Sequence, residues 1–230
     1  MNQQAPWKQR RRDGRLDVKE VFWTLQGEGP FAGRPAVFIR LAGCNLQCPG
    51  CDTDYTTNAE TVDTRELIQC AEVAVISQSC DLKEPLAVIT GGEPFRQDLR
   101  VLVHLLRYNG FTVQIETNGT FKCPKEVSDL ATIVVSPKTP TISIRYPQAF
   151  KYVASADDID PEDGLPRIAL QHGTKRVARP PVDYRGEIYL QPADEQDPEK
   201  NANNQRAVVQ ACLNYGHRLC LQTHKIVGIP

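Results

Sequence analysis

At 230 residues, 40% of them apolar, the chain is long enough for one large domain with a substantial buried core. Its formal charge of −1 excludes a general electrostatic attraction to nucleic acid or to an anionic membrane. No apolar run reaches the ~18 residues of a membrane-spanning helix and the first residues lack the apolar core of a signal peptide, so a cytoplasmic protein with reduced thiols is expected.

Residues 1–16, with the basic run Lys8 to Arg12, read as a flexible arm, and residues 17–230 as a single domain. A strand is predicted over 19–25, with Val21, Trp23 and Leu25 on one face, and Gln26 to Pro30 breaks it. A second strand over 36–42 is nearly continuously apolar, with Arg40 as its polar exception. Asp63 and Glu66 open a helix over 64–78. Then strands at 86–90, 111–117 and 132–136 alternate with helices at 96–108, closed by Gly110, and 125–130. Residues 154–186, where Asp157, Asp158, Asp160, Glu162 and Asp163 bunch, read as a surface excursion. A strand at 188–191, a helix from Pro198 to Gly216 and a strand at 218–222 complete the chain. This rhythm implies an α/β fold with parallel strands and crossover helices, an open sheet or an incomplete, TIM-like barrel.

Cys44, Cys48 and Cys51 put three of the eight cysteines into one C-x3-C-x2-C loop. Thiols so close cannot make structural disulfides among themselves, and a closed zinc site would want a fourth ligand nearby. Three thiolates on a [4Fe–4S] cluster would leave one iron open to a small molecule. The remaining cysteines, 70, 80, 123, 212 and 220, read as buried spectators. Unusual polar groups follow the predicted strands: Thr90-Gly91-Gly92-Glu93-Pro94, Thr117-Asn118-Gly119, Ser136-Pro137-Lys138, Gln191-Pro192 and Gln222-Thr223-His224. Ligands of parallel sheets bind at these carboxyl ends, so the five turns and the cysteine loop are expected around one pocket. There Gly91 and Gly92 would let backbone approach a ligand, and Glu93 would accept from an ammonium. Arg40, a cation on an apolar strand, carries a desolvation cost that a bonded carboxylate would resolve, and Gln26 and Glu28 on their own read as a turn.

These motifs resemble the radical S-adenosylmethionine (SAM) enzymes. With Leu25-Gln26-Gly27-Glu28-Gly29, Cys51-Asp52-Thr53 and the terminal Gln222-Thr223-His224-Lys225, they are similar to the 7-carboxy-7-deazaguanine synthase family over nearly the whole chain. The resemblance implies a partial barrel of the radical SAM type and a [4Fe–4S] cluster on Cys44, Cys48 and Cys51 whose open iron chelates SAM. It also implies a ring contraction of 6-carboxy-5,6,7,8-tetrahydropterin to 7-carboxy-7-deazaguanine with loss of ammonia, in queuosine biosynthesis. By the same resemblance Gly50, Asp52, Gly91, Gly92, Glu93, Asn118, Ser136, Pro137, Lys138, Gln191, Pro192 and Asp194 would bind SAM, and Thr53 would ligate Mg²⁺. Leu25, Gln26, Gly27, Glu28, Arg40, Thr90, His224 and the Pro230 carboxylate would hold the pterin, with Ile226, Val227 and Ile229 tying the tail down. An electron donor such as flavodoxin and a homodimer are implied; nucleic acid and membrane are not. Many relatives carry an aromatic residue against the adenine where this chain has Gly50, which leaves Tyr55 as the candidate replacement. Rival readings are an activase that generates a glycyl radical on a partner protein, an iron–sulfur electron carrier and a zinc module; the polar ring at the strand ends favours an enzyme with a pocket.

Overall fold

A computed structural model describes residues 14–77 and 83–229. Among them one nine-stranded sheet runs in the order β3-β1-β2-β4-β5-β6-β7-β8-β9. The strands are β1 (Arg15–Leu25), β2 (Pro35–Leu41), β3 (Glu60–Asp63), β4 (Leu86–Gly91), β5 (Thr112–Thr117), β6 (Thr132–Val135), β7 (Ala149–Ala154), β8 (Glu187–Pro192) and β9 (Arg218–Leu219). From β2 to β9 the pairings are parallel, and β1 and β3 join antiparallel at one edge. The sheet is the open, incomplete barrel that the strand and helix rhythm predicted.

Five helices complete the fold among the described residues: α1 (Thr64–Ile76), α2 (Arg100–Tyr108), α3 (Lys125–Ser128), α4 (Pro198–Tyr215) and α5 (Thr223–Val227). Their ends follow the local chemistry. The Asp63 carboxylate accepts from Arg65 N at 2.9 Å, and that of Asp197 from Glu199 N and Lys200 N, each filling donors that a first helical turn leaves unpaired. Gly216 stops α4 at φ 74°, where a side chain would strain the backbone. Leu67, Leu102, Leu106, Val127 and Val208 of the helices bury against Val37, Ile39, Val113, Ile133 and Phe150 of the sheet. Each such side chain contributes about 1.5–3 kcal/mol by leaving water.

Register carries the argument to the other face of the sheet. Arg40 pairs with Thr90, Val88 with Gln114, Glu116 with Val134, Val134 with Ala149, and Lys151 with Tyr189. Arg40, Thr90, Gln114, Glu116, Lys151 and Gln191 therefore share the inner face. Ala36, Leu86 and Val88 fill its other end with apolar atoms.

The structure departs from the sequence-based expectations in several places. Arg15 and Leu16 already belong to β1, and Leu16 is buried, so the sheet begins inside the segment expected as an arm; residues 1–13 lie outside the described part. β3 was not foreseen, because its Glu-Thr-Val-Asp carries no apolar run. β7 was missed too, since Lys151 interrupts it and no helix precedes it, yet all six of its residues are buried. The helix expected from 96 starts only at Arg100, after a 3₁₀ turn over Pro94–Arg96. The excursion is more than surface: Leu165, Ala169 and Val177 enter the core, and Arg176 and Arg179 pair with Asp160 and Asp163 across it. Cys70 is exposed on α1, only Cys220 of the described spectators is buried, and Cys80 lies outside the described residues.

Candidate active site

β2 runs directly into the cysteine loop, and the end of β4 is clamped beneath it. Gly92 N donates to Leu41 O at 3.1 Å and Glu93 N to Gly43 O at 2.9 Å. A Cβ on Gly91 would lie 2.1 Å from Leu41 O, and one on Gly92 2.1 Å from Gly43 O. The two glycines thus admit the backbone of the cysteine loop itself, where the sequence suggested a ligand. Glu93 is fully buried and braces the next strand: its carboxylate accepts from Thr117 Oγ1 at 2.6 Å, Phe95 N at 3.0 Å and Asn118 N at 2.8 Å. Burial outweighs these bonds and pushes its carboxyl up to about 6. Asn118 Nδ2 donates to Asn45 Oδ1 at 3.1 Å, so β5 also holds the loop, through a residue the sequence reading missed.

Cys44 and Cys48 are buried and Cys51 half-buried. Burial pushes the Cys44 thiol up to about 12 and Cys48 to about 11, with the Lys138 ammonium opposing the shift at Cys48. Lys138 is itself lowered to about 8, by burial, and donates to Ser136 O at 3.0 Å and to Ser136 Oγ. Thiols in one short loop, with the Lys138 ammonium near enough to favour the thiolates of Cys48 and Cys51, suit a group that binds thiolates, such as an iron–sulfur cluster.

Around this centre, Asp194 Oδ2 accepts from Lys225 Nζ at 2.9 Å, and the same ammonium lies 3.3 Å from Asp52 Oδ2, tying α5 to both the β8 loop and the cysteine loop. Thr53 is half-buried beside Asp52, and Pro137 and Pro192 stand in the turns after β6 and at the end of β8. At Gly50 the excursion returns: Gly50 N donates to Leu170 O at 3.0 Å, and a Cβ there would meet the Leu170 backbone at 3.3 Å. Leu170 and Gln171 adopt φ of 51° and 55°, sparsely populated for residues with side chains. Tyr55 is not an adenine wall: it is buried beneath the loop, with its hydroxyl donating to Leu46 O at 3.1 Å.

A second polar centre lies on the inner face. Lys151 Nζ pairs with Glu28 Oε2 and, at 3.1 Å, with Glu116 Oε2. Glu116 Oε1 accepts from Gln26 Nε2 at 3.0 Å and Gln114 Nε2 at 2.9 Å, while Glu28 Oε1 accepts from Gln222 Nε2 at 2.9 Å. Gln26 and Glu28 are thus brought together at the end of β1 by partners, Gln114, Glu116 and Lys151, that the sequence reading missed. The signal that singled out Arg40, a charge within an apolar strand, would have found Lys151 and Glu116. Arg40 pairs with a protein acid: its Nε lies 2.7 Å from Glu20 Oε1, and its guanidinium rests over Phe22. Thr90 stands beside Arg40 in register, and Leu25 is partly exposed. The His224 ring packs on Gly27, where a Cβ would lie 2.1 Å from Nδ1. Thr223 N and Oγ1 both donate to Gly27 O, at 3.3 and 3.1 Å, and hold the tail. Ile226 and Val227, expected as its anchors, are exposed because α5 turns them outward; Pro230 lies outside the described residues.

The comparisons agree with this layout. Residues 25–119 match the family described as a 4Fe-4S single cluster domain. A 7-carboxy-7-deazaguanine synthase from Rhodospirillum rubrum is 42% identical over 224 residues, covering 93% of this chain and 92% of that protein. Those of Rickettsia prowazekii and Escherichia coli K12 are 34% and 33% identical, over 94% and 92% of this chain and 89% and 98% of theirs. The crystal structure of QueE from Escherichia coli superposes with a TM-score of 0.66 at 27% identity, over 90% of this chain and 93% of that one. With identity of this level over nearly the full length of both proteins, the chain belongs to the 7-carboxy-7-deazaguanine synthase family.

Proposed function

We propose that this chain converts 6-carboxy-5,6,7,8-tetrahydropterin to 7-carboxy-7-deazaguanine with loss of ammonia, as a radical SAM lyase in queuosine biosynthesis. One observation carries the reading: the buried Lys138 ammonium feels both Cys48 and Cys51 of the thiol loop and Lys151 and Glu28 of the buried carboxylate–ammonium cluster, so the two centres border one site. Cys44, Cys48 and Cys51 would hold a [4Fe–4S] cluster, which, given an electron by a reductant, would supply the one-electron cleavage of SAM to methionine and a hydrogen-abstracting carbon radical. Glu93, with one acceptor site of its carboxylate still free, takes the methionine ammonium, while Gly91 and Gly92 set its distance from the cluster loop. Asn118, Ser136, Pro137, Lys138, Gln191, Pro192, Asp194, Asp52 and Gly50 line the rest of SAM. The Leu170 segment stands at Gly50, where many relatives present an aromatic ring.

Leu25, Gln26, Gly27, Glu28, Thr90 and His224 form the pterin site, and Arg40 exchanges Glu20 for the substrate carboxylate. Glu20 is half-exposed, so the exchange leaves no buried acid unpaired. Thr53 offers a hydroxyl to Mg²⁺, a hard cation that takes oxygen ligands. An electron donor such as flavodoxin, a cytoplasmic location and a homodimer belong to the same reading. The free thiols suit a reducing compartment, and a second copy would cover the exposed Ile226 and Val227.

Anaerobically reconstituted protein with a reductant, SAM, Mg²⁺ and 6-carboxytetrahydropterin is expected to give 7-carboxy-7-deazaguanine by mass spectrometry. Cleavage of SAM without that product would overturn the substrate while leaving the radical SAM chemistry. Cys48→Ala is expected to abolish SAM cleavage and Cys212→Ala to spare it; equal loss would mean the cluster ligands are wrong.

A further inference from the structure

Lys151 is a buried ammonium between two carboxylates on the inner face, and the reaction as described gives it no task. Its side chain is only 8% exposed, with Glu28 and Glu116 at 12% and 17%. A buried charge is retained at the expense of its hydration, and here two acids share a single cation, so the cluster keeps one negative charge in excess. Every polar atom of both carboxylates is already directed by a donor from a different element. Glu116 Oε1 is fixed by Gln26 from the turn after β1 and Gln114 from β5, and Glu28 Oε1 by Gln222 from the start of α5.

Beside them Gln114, wholly buried, has an Oε1 with no partner, an acceptor that awaits a donor. The cluster as a whole therefore offers acceptors and excess negative charge. A purely structural ion pair has no reason to leave either. A ligand edge made of N–H donors fits it, and the amide and amino edge of a pterin is such an edge. The charged groups that bear on Lys151 come from several elements: Glu28 and Glu116, Cys220 after β9, Lys138 after β6 and His224 on α5. Burial alone would lower the Lys151 pKa, but Glu116 and Glu28 together hold it above its ordinary value. Burial likewise works to raise the Glu28 carboxyl, and Lys151 reverses this and holds it low.

We infer that Lys151 is a positioning residue that holds the Glu28 and Glu116 carboxylates side by side and aimed, so that with Gln114 they accept the N–H edge of the substrate. It does not itself touch the substrate. Without the ammonium, two carboxylates face each other in a buried site and must share a proton, so one acceptor becomes a donor that meets the substrate N–H groups head-on.

This inference rests on the pterin reading and deepens it, and its test separates the two. Binding of pterin-6-carboxylate, an oxidised analogue, is measured by equilibrium dialysis against reconstituted holoenzyme with SAM, from about pH 7 to about pH 9, above the ordinary histidine titration. Wild type is the reference at each pH, because the Lys138 ammonium, lowered to about 8, titrates within this range; a profile is flat when its ratio to wild type is constant. Lys151→Met is expected to bind roughly tenfold or more weakly near pH 7, the loss of one charged hydrogen bond, and to recover as the pH rises and the shared proton leaves. Lys151→Arg is expected to restore both affinity and the flat profile. The double variant Lys151→Met/Glu116→Gln is expected to lose the pH dependence, since no second carboxylate remains to share the proton. Iron content and melting temperature of each variant register folding separately. A Lys151→Met enzyme that binds like wild type overturns the inference, as does a pH-independent loss that Lys151→Arg does not repair. Failure of wild type itself to bind the pterin overturns the substrate reading, and the inference with it.

Discussion

Gly92 shows how one residue can be special for a reason that the sequence did not give. A Gly-Gly step after a strand signals close approach, and the sequence placed a ligand there; the structure places Gly43 O in the space a Cβ would take. Because that neighbour is backbone and cannot swing aside, Gly92→Ala is expected to cost about 1–3 kcal/mol or more and to part the cysteine loop from β4. Denaturant unfolding together with iron content after reconstitution measures both, and an alanine variant that takes up a full cluster would contradict this account. Lys151, Glu116 and Gln114 can be noticed as polar residues within strands, but their role was illegible for a different reason. Their task depends on neighbours from β1, β5 and β7 that lie far apart in the chain, and a lone polar residue inside a short strand carries no sign of its partner.

α5 is the element whose placement the sequence misjudged. Its apolar Ile226 and Val227 promised an anchor, yet the helix is held by polar bonds: Thr223 to Gly27, and Lys225 to Asp194 and Asp52. Asp194 is lowered from 3.8 to about 2, first by the bond from Lys225 and then by Gln196 N and Asn201. A depressed acid contributes stability that is present above its unfolded pKa and lost as the pH falls through its folded value. Asp194→Asn is therefore expected to lower the melting temperature at pH 5, by well under about 1 kcal/mol because the pair is exposed. The difference from wild type should close between about pH 4 and about pH 2; one that persists unchanged at the acid end would remove Asp194 as its cause. α4, by contrast, was read correctly from Pro198 to Gly216 because both of its ends are written in local chemistry.

At the scale of the molecule, the cysteine loop is gripped by the ends of β4 and β5, touched by the excursion and tied to α5, so whatever fills it stabilises a junction of elements. Anything bound by the folded state alone raises its stability by mass action. Removal of the cluster with a chelator is expected to lower the melting temperature and to expose amides around 43–53 and the ends of β4 and β5 to hydrogen exchange, with α2 unaffected. Uniform loss of protection across the sheet would show that the site is not a local keystone. The sequence by itself determined the α/β class, most parallel strands and both ends of α4, because periodicity and capping are local and each is written within a few residues. Only the tertiary structure decided that the loop's own backbone fills the space beside the glycines, that Leu170 returns to Gly50, and that Lys151 joins Glu28 to Glu116. Those are contacts between residues far apart in the chain, fixed by strand register and burial, and no local pattern encodes them.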